Sequence, residues 1–193
     1  GDIALSGTAS SEGEGGLVQL IAGHEKSASG NVTVAGKASA DGVGGAVRIW
    51  AGYGEAGVGD ANVSGVLSAI GDGGEVRINA GYGLNAEGDV NVSEDGILTA
   101  DGVGGKVNVY SAHGEGAKGD INMAGRISAA GENGLVDITA AEGLGASGDA
   151  NLAGHVCADG KGGKVMVWSG YGENAHGDIA LSGTASSEGE GGL

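Results

Sequence analysis

Apolar and polar residues alternate along this chain in short stretches punctuated by glycine. From Gly148 the chain reads GDANLAGHVCADGKGGKVMVWSGYGENAH, where Ala150 and Leu152 flank Asn151, and Val165 and Val167 flank Met166. A period of two puts one set of side chains on one face of an extended strand. The pattern recurs. Ile3/Leu5, Val32/Val34, Ala61/Val63, Val90/Val92 and Ile121/Met123 match Ala150/Leu152, while Val18/Leu20, Val47/Ile49, Val76/Ile78, Val107/Val109 and Val136/Ile138 match Val165/Val167. Between them lies a second stretch with Ala9, Ala38, Leu67, Leu98, Ile127 and Val156 in one column. Ser11, Ala40, Ala69, Ala100, Ala129 and Ala158 form the next, and its alanines fit a tight corner. Each repeat therefore predicts three strands with inward apolar columns. The partners Gln19, Arg48, Arg77, Asn108, Asp137 and Met166 are expected on a wet outer face.

The motif G-[DN]-x-x-x-[SA] starts coils at Gly1, Gly30, Gly59, Gly88, Gly119, Gly148 and Gly177. The spacing is 29 residues, except for 31 between Gly88 and Gly119, where Glu94 and Asp95 are inserted at a turn. No apolar spacing of three and four recurs, and glycine breaks every candidate helix. The expected fold is all-β: a right-handed parallel β-helix (β-solenoid) of about six coils of 29 residues, spanning residues 1–193 as one segment. Coils hydrogen-bonded at roughly 4.8 Å make a rod about 29 Å long. Residues 177–193 repeat residues 1–17 letter for letter. That identity predicts tandem duplication of a six-coil block and a longer array of which this chain is an excerpt.

Composition sharpens this picture. Glycine numbers 46 and proline 0, a balance that suggests disorder unless the glycines recur at fixed spacing, as they do here. With no Phe and 3% aromatics, the core must be narrow and built from small or β-branched groups. A net charge of −16, with only 9 Lys and Arg, argues against nucleic acid and against anionic membranes. No apolar run is long enough to insert in a bilayer. Cys157 has no partner for an internal disulfide.

Candidate chemistry is sparse. Asp2, Asp60, Asp89, Asp120, Asp149 and Asp178, with Asn31, form a column of turn-forming, solvated side chains. Calcium is the alternative weighed for it, but the G-G-x-G-x-D nonapeptide of acidic β-rolls does not occur, so no cofactor is expected. A second column holds His24, Tyr53, Tyr82, His113, Glu142 and Tyr171, and a third Ile21, Trp50, Asn79, Tyr110, Thr139 and Trp168. The aromatic members of the two columns, Trp50, Tyr53, Tyr82, Tyr110, Trp168 and Tyr171, form a candidate surface-contact edge, suited to a glycan or another surface. The competing reading is that the rings stack and stiffen the rod. Turns of near-uniform length offer no catalytic cleft, and His155, His176 and Cys157 lack metal or nucleophile spacing. No enzyme activity is expected.

The run G-D-V-N-V-S…L-T-A-D-G-V-G-G-K-V-N-V, Gly88 to Val109, resembles the haemagglutinin-type repeats of filamentous haemagglutinin-like exoproteins. That resemblance implies a β-helix shaft, export through an outer-membrane partner, and adhesion or surface display. The expected role is the structural shaft of an extracellular or cell-surface fibre, continued or self-associated end to end. An adhesin module contacting glycan through the Tyr/Trp edge is the alternative.

Overall fold

The computed structural model describes residues 1–191 and 193, with the side chains of His24 and Glu188 outside the description. Twenty strands and no helix are found among the described residues, so none has a helix long and apolar enough to cross a membrane. Coil three shows the plan, with strands Ala61–Val63, Val66–Ile70 and Glu75–Tyr82. Each strand pairs in parallel with its equivalents in the coils before and after, giving two seven-stranded sheets and one six-stranded sheet. This is a parallel β-solenoid, and the register is the one the repeat spacing predicts. Val63, for example, pairs with both Val34 and Val92.

The inward columns make one continuous core. Val34, Leu67, Val76, Ile78, Leu98, Ile127 and Ile138 are fully buried. Burying such a side chain contributes about 1.5–3 kcal/mol, and each coil adds several to the stack. The corner column Ala40, Ala69, Ala100, Ala129 and Ala158 is equally buried.

The corner after the first strand explains one invariant glycine column. In coil three the N–H groups of Ser64 and Gly65 both donate to the Val34 carbonyl, at 2.9 and 3.0 Å. The coils approach so closely there that a Cβ on Gly65 would collide with the Gly36 carbonyl oxygen. The two-residue insertion lies at the same corner, with Glu94 and Asp95 exposed. Gly96 N–H donates to the Ser93 carbonyl, and Ile97 N–H returns to the Gly65 carbonyl at 3.0 Å, so the sheet regains register at once.

The outer faces differ from the simple wet surface expected. Asn79, Asn108 and Thr139 on the third sheet are buried beneath longer neighbours. On the second sheet Ser39, Ser68, Ser128 and Cys157 are buried too. They are small side chains flanked on the same face by larger ones, such as Lys37 and Asp41 beside Ser39. Cys157 stacks on Ser128, its thiol 3.5 Å from the hydroxyl.

Candidate functional site

The aromatic residues gather on the outer face of the six-stranded sheet, where the register places them in two adjacent columns. Tyr53 pairs with Tyr82, and Trp50 with Asn79. Tyr82 then bridges to His113, and His113 to Glu142, which pairs with Tyr171. The side chain expected from His24 at the head of this column lies outside the described residues.

Ring contacts divide the edge into a stacked part and an interleaved part. Tyr53 and Tyr82 are stacked with centroids 5.1 Å apart, and Tyr82 and His113 are stacked at 4.7 Å. The spacing of parallel strands imposes this, since side chains in one column repeat at about 4.8 Å. Trp50 stands edge-on to Tyr53 at 5.1 Å and to Tyr82 at 5.7 Å. At the other end Trp168 meets Tyr171 edge-on at 5.5 Å, and both are exposed.

Trp50, Tyr110 and Trp168 cannot stack directly, because Asn79 and Thr139 intervene in their column. Between Trp50 and Tyr110 the gap is filled by Arg77, whose guanidinium carbon lies 5.5 Å from the Trp50 ring and 5.3 Å from the Tyr110 ring. Between Tyr110 and Trp168 the equivalent residue is Asp137. There a cavity of about 300 Å³ opens, lined by Tyr110, Asp137, Thr139, Glu142, Trp168 and Tyr171.

Hydrogen bonds fix the floor of that cavity. Tyr110 O–H donates to Asp137 Oδ2 at 3.1 Å, and Thr139 O–H donates to Asp137 Oδ1 at 3.0 Å. Burial, then the Asp137 charge and its hydrogen bond, push the Tyr110 phenol far above its usual range, so it stays a donor at any physiological pH. Glu142 lies 3.4 Å from His113 Nε2.

Two polar ladders run along the other faces. Asn62, Asn91, Asn122 and Asn151 pass amide hydrogen bonds from coil to coil, each Nδ2 donating to the preceding Oδ1 at 3.0–3.1 Å. Repetition of Asn at one position in four successive coils was the available signal. The Asp column is a ladder as well: Asp60 Oδ1 accepts from Asp89 N–H, Asp89 from Asp120 N–H, Asp120 from Asp149 N–H and Asp149 from Asp178 N–H, at 2.8–3.0 Å. One oxygen of each of these carboxylates is thereby engaged by protein and not only solvated.

Stacking carboxylates carries a cost. The Asp89 carboxyl is held above the usual carboxylate range, first by burial and then by the charges of Asp60 and Asp120, against the lowering effect of the Asp120 N–H. Among the described residues, no three His, Cys, Asp or Glu side chains are grouped to hold a metal ion. His155 is exposed in the same strand as the buried Cys157, two residues away, and His176 is exposed at an isolated bridge to Ser147.

No family model matches the chain, and neither does any curated protein or solved structure.

Proposed function

We propose that this chain is a non-catalytic segment of an elongated shaft, part of an extracellular or cell-surface fibre built by stacking solenoid coils. The observation that carries this reading is the fit between sequence period and coil lattice. Residues 177–193 repeat residues 1–17, and Ile179–Leu181 pair on Ala150–Leu152 in the same column that Ile3–Leu5 occupy. A six-coil block can thus follow another without a change of register. The hydrogen bonds of such a rod run along its length, as do the Asp and Asn ladders, so added coils extend it in one dimension. The net charge of −16 discourages lateral clumping. The resemblance of the coil to haemagglutinin-type repeats favours surface display. Electron microscopy of the protein at its native length should show unbranched rods of constant width, growing by about 29 Å per block. Compact globular particles would overturn the proposal.

A second reading, that the aromatic edge contacts a glycan or another surface, is favoured by the cavity that opens on this edge between Tyr110 and Trp168. Aromatic side chains on the outer face of so aromatic-poor a chain supply stacking area at low entropic cost.

A further inference from the structure

The rod contains two slots of the same construction, one filled and one open. In the first, Asn79 sits between Trp50 and Tyr110, whose rings are two coils apart, about 9.6 Å along the axis. The guanidinium of Arg77, from the same coil as Asn79, occupies the space between the rings. Two coils on, Thr139 sits between Tyr110 and Trp168, again two coils apart. Here the residue in the Arg77 column is Asp137, and the space is open. Walls and floor lie in coils four to six, and Trp168 stands on the edge strand of the six-stranded sheet.

The open slot offers what the filled one lacks. Its polar floor consists of hydrogen-bond acceptors, the carboxylates of Asp137 and Glu142. The two hydroxyls beside them, of Tyr110 and Thr139, are already committed to Asp137 as donors. Among the described residues no Lys or Arg pairs with Asp137. Two aromatic walls plus acceptors match a group that is flat, cationic and donor-only, which describes a guanidinium better than a sugar or an ammonium.

We propose that the slot between Tyr110 and Trp168 docks an arginine side chain of a basic partner polypeptide, with Asp137 and Glu142 receiving its N–H groups. The internal Arg77 shows the geometry such a guest takes. A second copy of this chain is a poor donor of the guest, since each copy carries a charge of −16. The inference rests on the second reading above, that the aromatic edge is a contact surface, and names the chemistry it recognises there.

The test titrates the full chain with a short peptide, acetyl-Gly-Arg-Gly-amide, followed by NMR shifts of the Trp168 indole N–H. Lysine and citrulline versions of the peptide and a methyl hexoside serve as competitors. The arginine peptide should bind at least tenfold more tightly than the citrulline isostere, which keeps the shape but not the charge. Binding should weaken with salt and fall at least tenfold in Asp137→Asn. Thr139→Trp, which fills the slot from within, should abolish it, and melting curves of both variants verify that they fold. Equal binding of arginine and citrulline overturns the proposal. Binding of the hexoside with indifference to arginine overturns it while leaving the contact-surface reading standing. If no probe shifts the Trp168 signal, the proposal and that reading at this slot fall together.

Discussion

One carboxylate oxygen of Asp60 accepts the main-chain N–H of Asp89, 3.0 Å away in the next coil. The same bond recurs at each step, and Asn31 takes part in it, its Oδ1 accepting the Asp60 N–H at 2.9 Å. What the position requires is therefore a carbonyl-type oxygen one carbon beyond Cβ, which both Asp and Asn supply. The charge is incidental to the bond and repulsive along the column.

Asp89→Asn keeps the acceptor and removes the charge, so the melting temperature at pH 7 should stay level or rise. Asp89→Ala should lose about 1 kcal/mol with the hydrogen bond. The pH dependence has a definite sign. Because the folded carboxyl titrates above its unfolded value of 3.8, its favourable contribution is complete below that pH and disappears as pH rises through the folded value. The advantage of Asp89→Asn over the parent should accordingly be absent in acid and grow above about pH 4. Thermal melts of both proteins across pH 3 to about 7 check this, and an advantage that grew on acidification would refute it.

Ala141 adopts φ of 61°, in the column where Gly23, Gly52, Gly81 and Gly170 have φ of 62–64°. A Cβ is disfavoured in that left-handed region by about 1–2 kcal/mol, partly offset by the entropy that glycine loses on folding. Ala141→Gly should therefore stabilise the protein by up to about 1 kcal/mol in urea denaturation. The reverse change at Gly81 meets a further obstacle, because its Cβ would lie 2.8 Å from the Glu87 carbonyl carbon. Gly81→Ala should destabilise by more than Ala141→Gly gains.

Asn79 is 1% exposed, and neither its side-chain oxygen nor its nitrogen has a hydrogen-bond partner. Its counterpart Thr139 solves the same problem by donating to Asp137, two residues before it. A buried unpaired polar group costs about 1–3 kcal/mol. Asn79→Val, with a β-branched side chain suited to a strand, should raise stability by about 1 kcal/mol. A clear loss of stability in chemical denaturation would show that the amide has a role this packing does not reveal.

The coil plan was legible because parallel pairing forces equivalent residues into columns. Once Val34, Val63 and Val92 align at the repeat spacing, strand number, inward faces and even the harmless place of Glu94 and Asp95 follow. Column membership of Trp50, Tyr110 and Trp168 was equally readable. Their contacts were not. The Asn ladder had its signal in four equally placed asparagines, but the direction of its bonds, like those from Asp89 to Asp120, depends on rotamers that spacing does not specify.

By itself, the sequence determined the lattice of Cα and Cβ positions, since main-chain hydrogen bonding at a fixed rise leaves a repeat with one register once its apolar columns must stay inside. Only the tertiary structure decided what the long outward side chains do on that lattice. Arg77 can reach either of two neighbouring coils, and it lies between Trp50 and Tyr110 because Asn79 leaves room there. Asp137 cannot fill the matching space beside Thr139, so that slot stays open. Such choices are settled by the sizes and charges of side chains two coils apart, a competition that becomes visible only when the coils are stacked.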